Sequence, residues 1–302
     1  MPAVEVHELV VRYGDLVAVD GLSFTAEAGA VTAVLGPNGA GKTSTIEVLE
    51  GYRRANGGEA RVLGLDPRRQ HRQLVPRIGV MLQSGGVYPG IRAREVARLF
   101  CSLYGDHHDP DELLALVGLT ARAGATWKQL SGGEQQRLSL ALALAGEPEV
   151  VFLDEPTTSL DVSGRQVVRA VIRDLAARRC CVLLTTHELD EAERLADHVV
   201  IVDRGKVAAA GSPADLRSRT AGTEIRFSAR SGIDTSSLAT LLGVPVSEPT
   251  PSEYVVATPP APAAIATIAG WLAERDVPLA DLRASRETLE DVFLRLTAET
   301  DR

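Results

Sequence analysis

The sequence predicts an α/β fold with a mostly parallel sheet, followed by a smaller α+β domain. Three observations predict it. Short, largely apolar runs at Val31–Leu35, Val150–Leu153 and Val182–Thr186 alternate with stretches of helical period, as expected of strands buried on both faces. Each run is followed at once by glycine, acidic or histidine residues, and in such sheets ligands gather at the carboxyl ends of the strands. After Thr220 the alternation breaks and a second set of short elements begins.

Taken in order, the first 30 residues alternate apolar and polar, with turns at Tyr13–Asp15 and Glu27–Gly29, and read as antiparallel strands. Val31–Leu35 is a buried strand, and a helix bearing Ile46, Val48 and Leu49 follows GPNGAGKTS. Arg77–Gln83 reads as a strand and SGGVYPG as a loop. Residues from about 91 to 147 carry helical signals almost throughout and form a helical insert. Val150–Leu153 is a strand ending in two acids. Ser163–Ala177 is a one-sided helix, Val182–Thr186 a strand and Glu188–Ala196 a helix; Val199–Asp203 and Lys206–Ala209 make a hairpin. The chain thus divides at about 218/219. In the remainder, strands near 224–229, 244–246, 254–258 and 279–284 interleave with helices at 236–242 and 263–274, and a final helix carries Leu289, Val292, Phe293 and Leu296. That order resembles a split βαβ unit. It contains no chemical motif and reads as an accessory or dimerisation domain.

Composition bounds the possibilities. In 302 residues, 45% are hydrophobic and 4% aromatic, so the core rests on Leu, Val, Ile and Ala. A formal net charge of −8 argues against a nucleic-acid partner. Three cysteines with no Cys-x-x-Cys spacing suit reduced thiols rather than a disulfide or zinc framework. The amino-terminal stretch lacks a basic start and apolar core, so no leader is expected, and no run of about 20 apolar residues is present to span a membrane.

The chemistry is concentrated in a few places. Gly36, Gly41, Lys42 and Thr43 occupy the fixed positions of G-x-x-x-x-G-K-[ST] within the loop Gly36, Pro37, Asn38, Gly39, Ala40, Gly41, Lys42, Thr43 and Ser44. Glycines let amides face phosphates, Lys42 reaches the β and γ phosphates, and the Thr43 hydroxyl suits magnesium. Asp154 suits a magnesium partner, direct or through water, and Glu155 can orient or deprotonate an attacking water. His187 can donate to a transferring phosphoryl group. The carbonyl oxygen of Gln83 can reach magnesium or the water. Tyr13, in a turn, can stack on adenine. Ser131, Gly132 and Gly133 open a helix whose end suits a second anion. The cluster His107, His108, Asp109, Asp111 and Glu112 reads as a solvated helix cap rather than a metal site, and Arg53, Arg54, Arg68 and Arg69 as exposed charges.

GPNGAGKTS, Gln83, LSGGEQQR, VVFLDEP, Ser159–Asp161 and His187 occur in one order. Together they resemble the ATPase subunit of an ABC (ATP-binding cassette) transporter over residues 3 to 217. The resemblance implies a P-loop NTPase core of the RecA-like type with an antiparallel β subdomain and the helical insert. It also implies hydrolysis of ATP with Mg2+, at a site where Lys42, Glu155, His187 and Gln83 are catalytic and Thr43, Gln83 and Asp154 hold the metal. Two such subunits would pack head to tail, with Ser131–Gly133 of one closing on the nucleotide of the other and Asp161 near the seam. The helical insert would touch a separate membrane permease, holding the protein at the cytoplasmic face. GYRRANGGEARVLGLDP and TLEDVFLRLT are similar to exporters of the daunorubicin-resistance type and their lipid-exporting relatives. A soluble ABC ATPase of cofactor assembly is the alternative reading.

Overall fold

The chain opens with two long strands, β1 (Pro2–Tyr13) and β2 (Leu16–Glu27), antiparallel about the turn at Gly14–Asp15. The computed structural model describes residues 2–81, 86–105, 108–220, 224–283 and 289–293. It forms two compact units, one over Met1–Ala214 and one over Asp215–Leu294. In the first unit, β3 (Val31–Leu35) is buried at all five residues, and α1 (Lys42–Leu49) follows the glycine-rich loop. The chain then returns as β4 (Gly57–Val62) to pair with β1, giving a three-stranded antiparallel sheet in the order β2-β1-β4. The sequence reading missed β4: its exposed Gly57, Glu59 and Arg61 offer little apolar alternation, and pairing with β1 supplies what the pattern lacks.

After a short helix, α2 (His71–Leu74), strand β5 (Ile78–Met81) enters the central sheet. The helical insert comprises three helices, α3 (Ala93–Leu103), α4 (Pro110–Leu116) and α5 (Gly132–Ala143), joined by loops and two single 3-10 turns. Asp109 caps α4 by accepting the Asp111 amide at 2.8 Å, the capping role the sequence suggested; His107 lies outside the described residues. Then come β6 (Val150–Asp154), α6 (Val162–Ala177), β7 (Cys181–Thr186), α7 (Leu189–Leu195), β8 (His198–Asp203) and β9 (Lys206–Gly211). The sheet order is β5-β6-β7-β3-β8-β9, parallel except for the final hairpin. β3, β6 and β7 are buried almost throughout because sheet or helix covers both faces. Phe152, Leu183 and Val200 meet the strands of the antiparallel sheet in one core.

Helix α8 (Pro213–Thr220) leads to the second unit, where β10 (Ile225–Ser228), α9 (Ser236–Leu242), β11 (Val246–Thr250), β12 (Glu253–Val256), α10 (Pro262–Ala273) and β13 (Asp281–Arg283) follow. Their antiparallel order, β11-β12-β10-β13, is that of a split βαβ unit. Phe227, Tyr254 and Trp271 anchor its core, with the first two rings stacked 5.0 Å apart. The Tyr254 hydroxyl donates to Arg230 O and accepts from Ile233 N, so burial leaves it satisfied. Residues 289–293 form a helical turn. Among the described residues no helix is long and apolar enough to cross a membrane.

All three cysteines are buried and in no disulfide among the described residues, and burial pushes the thiols of Cys180 and Cys181 up to about 12, so both stay protonated. Glu50, just past α1, is only 4% exposed. Burial, and then the fields of Asp154 and Glu47, push its carboxyl up from 4.5 to about 8. Between those values the folded chain binds a proton that the unfolded chain has lost, so this group's contribution falls as pH rises from 4.5 to 8. Glu50→Gln should therefore flatten that decline and stabilise the first unit at pH 8 by roughly 1–4 kcal/mol, measured by urea unfolding at pH 5.5 and 8. Equal stability of the two proteins at both pH values would contradict it.

Candidate active site

The site is assembled by sheet order. β6, β7 and β3 are neighbours and parallel, so their carboxyl ends lie side by side. β3 delivers the glycine-rich loop, β6 delivers Asp154 and Glu155, and β7 delivers His187. Residues about 150 positions apart in the chain thus meet at one sheet edge.

The loop is shaped by contact as well as by conformation. Gly41 has φ +101°, and a Cβ there would lie 2.4 Å from Ala18 O; one on Gly36 would lie 2.3 Å from Val202 O. Any side chain would push the loop off the two neighbouring strands. Ala40 is buried behind the loop, whereas Asn38, Gly39, Gly41, Lys42, Thr43 and Ser44 line a cleft of about 290 Å3. Tyr13, Leu16, Ala18, Asp154 and Glu155 complete its walls. No side chain caps the start of α1, so its first amides remain open to an anion.

Lys42 is 8% exposed, and its ammonium donates to Gly36 O at 2.7 Å and Pro37 O at 3.0 Å. Burial lowers its pKa, while Glu155 and Asp154 oppose that shift. Asp154 is raised by burial, against the hydrogen bond donated by the Thr185 hydroxyl. Glu155 is 8% exposed and sits at φ +50°, and its backbone N–H donates to Thr185 O. A non-glycine residue in that region is strained, and the strain re-aims the carboxylate off the strand end. Its Oε1 lies 2.9 Å from His187 Nδ1, and its Oε2 accepts from the Thr158 hydroxyl. A carboxylate only accepts, so Nδ1 carries a proton, and Nε2 then donates to a phosphate oxygen only when the ring is an imidazolium.

Tyr13 ends β1 and is 43% exposed. Its hydroxyl is 2.9 Å from Ser44 Oγ, and the guanidinium of Arg53 stands 4.2 Å over the ring. Arg53 is therefore not the free surface charge the sequence suggested: it also pairs with Glu47 at 2.5 Å, because both side chains converge on the ring. Gln83 lies outside the described residues. Ser131, Gly132 and Gly133 do not line the cleft. Ser131 caps α5 by accepting the Glu134 amide at 3.2 Å, and Asp161 caps α6 by accepting the Gly164 amide at 2.7 Å.

Sequence reasoning missed two participants. Thr185 steadies both acids from the neighbouring strand. Gln136, on α5, donates to Glu155 O at 2.9 Å and ties the helical insert to the acid. Neither residue type signals its role; only the pairing of strand to strand and helix to loop reveals it. A larger cavity of about 640 Å3, walled by Leu113, Leu144, Val171 and Leu175, contains none of these groups.

The cleft joins a glycine-rich loop, a lysine and two acids, and the chain is similar to known ATP-binding proteins. The ABC transporter family profile matches residues 19–158. The daunorubicin resistance ATP-binding protein DrrA3 of Streptomyces coeruleorubidus is 36% identical over 96% of this chain and 94% of its own length. A fluoroquinolones export ATP-binding protein of Mycobacterium tuberculosis is 38% identical over 70% of this chain and 71% of its own. The structure of an ATP-binding subunit of an ABC transporter superposes with a TM-score of 0.67 at 26% identity, covering 72% of this chain and 92% of that one.

If His187 acts through Glu155 and the phosphate, His187→Ala should lower nucleotide turnover at least ~100-fold while leaving nucleotide binding within severalfold. Phosphate release and equilibrium binding measured on one preparation separate the two effects; a parallel loss of binding would make His187 a structural residue instead.

Proposed function

Since the chain belongs to the ABC transporter family of ATP-binding proteins, we propose that it hydrolyses ATP to drive an exporter whose membrane permease is a separate chain. The observation that carries this reading is the meeting of Lys42, Asp154, Glu155 and the His187–Glu155 pair at the end of three adjacent strands. The relatives' names favour export over the cofactor-assembly alternative.

In the proposed reaction, water attacks the γ-phosphorus in line, the bond to the β-γ bridging oxygen breaks, and ADP and phosphate leave. Glu155 orients the water and takes its proton, and the His187 imidazolium donates to the γ-phosphate. The Lys42 ammonium exchanges its two backbone carbonyl acceptors for the β and γ phosphates. The open amides of α1 cradle the remaining oxygens. The residues fit Mg2+, since the Thr43 hydroxyl and the Asp154 carboxylate are hard oxygen donors lining one cleft. Those two groups would hold the ion, with Gln83 as a third by resemblance, and it would supply neutralisation of the phosphate charge. Tyr13 would stack on adenine.

Closure by a second copy is supported by the start of α5. Ser131 and Gly132 are exposed, and a Cβ on Gly132 would meet nothing within 4 Å. Gly132 has no positive φ either, so nothing within the chain calls for glycine there; the approach of an outside group does. A partner's triphosphate fits that need, since the helix end offers roughly half a positive charge. Tyr52, Tyr88, Leu99 and Leu103 are apolar yet 48–77% exposed on or beside the insert, which suits contact with a permease at the cytoplasmic face. We assign the unit after Asp215 an accessory role, outside the nucleotide chemistry.

Glu155→Gln tests the core of this reading. It should retain MgATP binding, lower phosphate release at least ~100-fold, and yield a nucleotide-dependent dimer by size exclusion with light scattering. Turnover close to that of the parent protein would remove Glu155 from its role. As a second check, purification from membranes should bring down a polytopic protein of about six apolar spans; an exclusively soluble complex would favour the alternative.

A further inference from the structure

We propose that Arg122 is a positioning residue for closure: it neutralises Glu134 and so keeps the Ser131–Gly133 segment receptive to the partner's triphosphate. This rests on the head-to-tail reading above and adds to it a charge, Arg122, that lies outside the nucleotide-binding motifs and pairs with Glu134 within one of them.

The start of α5 presents a conflict. Its helix end attracts an anion, yet Glu134 in the first turn folds back over it, and Glu134 Oε2 accepts the Ser131 amide at 2.8 Å. This capping box stabilises the helix. It also consumes one amide and sets a full negative charge where a triphosphate must approach. Glu134 is ionised there: the Ser131 amide first, and the Arg122 charge after it, hold its carboxyl below the usual range. Among the described residues no acceptor reaches the amides of Gly132 and Gly133, so two donors still face outward.

Arg122, from the 3-10 turn Thr120–Arg122, resolves the conflict. Its Nε lies 2.9 Å from Glu134 Oε1, a contact ion pair although the N–H does not point along that line. Its Nη2 donates to Gln129 O at 2.8 Å, which anchors the guanidinium to the loop leading into the segment. The pair cancels locally, and the helix dipole is what an approaching phosphate meets. Without Arg122 the carboxylate acts alone. At an effective dielectric near 20, its repulsion of each phosphate charge weakens closure about tenfold or more per nucleotide.

The experiment uses the full chain in the Glu155→Gln background and reads the MgATP concentration at half-maximal dimer by light scattering. Arg122→Gln should raise that midpoint at least tenfold. Glu134→Gln should leave it unchanged or lower it, and in Arg122→Gln/Glu134→Gln the defect should disappear. Arg122→Lys should retain most of the parent's closure, and 0.5 M salt should shrink the Arg122→Gln defect. Binding of ATP to the monomer at low protein concentration should be the same in every variant, which excludes misfolding as the cause. A midpoint within twofold of the parent for Arg122→Gln, or a double variant as poor as Arg122→Gln alone, would overturn the proposal. If the Glu155→Gln parent forms no dimer with millimolar MgATP, the head-to-tail reading itself fails, and this proposal with it.

Discussion

Three parallel strands lying side by side and ending at one edge are the constraint on which the rest of this molecule depends. β3, β6 and β7 are covered on both faces, so their polar groups can emerge only at the ends. Register fixes which ends coincide: Leu35 pairs with Thr186, and Asp154 with Thr185. A phosphate loop, two acids and a histidine therefore reach the same few ångströms without any of them being close in sequence. A slip of one residue would turn Asp154 and Thr185 to opposite faces and dissolve the cluster.

The charges at that edge restrain one another. Lys42 is held by two carbonyls of its own loop and lies in the field of Asp154 and Glu155. Asp154 leans on Thr185, and Glu155 on Thr158 and His187. Each of these three charges thus has a partner before a nucleotide arrives, which avoids the cost of an uncompensated ion in a low-dielectric setting. In the proposed reaction these partners would be exchanged: backbone carbonyls for phosphates in the case of Lys42, and a hydroxyl for a cation in the case of Asp154.

The helical insert is wired to this edge at two points. Gln136 of α5 donates to Glu155 O. Gly133 packs against Leu160, and a Cβ there would stand 3.1 Å from its Cδ2. The helix that we propose to meet a partner's nucleotide therefore rests on the loop that carries this chain's own acid. A shift of α5 on closure would be felt directly at Glu155, giving a physical link between association and chemistry through one hydrogen bond and one packed contact. The strained backbone of Glu155 lies where that link ends.

Much of this was legible in the sequence. The glycine-rich loop, Asp154–Glu155 and His187 are recognisable because their chemistry depends on residue type at fixed spacing next to a strand, and spacing is a local property. The buried strands declared themselves by apolar runs, and the split βαβ order of the second unit by its alternation. What the sequence could not fix are the relations that depend on which element lies beside which. Strand β4 has no pattern of its own and exists because β1 pairs with it. Arg53 looks like a surface charge until Tyr13 and Glu47 are brought under it. Thr185, Gln136 and Arg122 are ordinary residues whose roles arise from contacts 31, 19 and 12 positions away. The sequence by itself determined the chemistry and the strands that carry it, because both reside in neighbouring residues. Tertiary structure alone decided the partners of each charge, because a side chain's field and hydrogen bonds are set by distance in space, and chain order does not encode that distance.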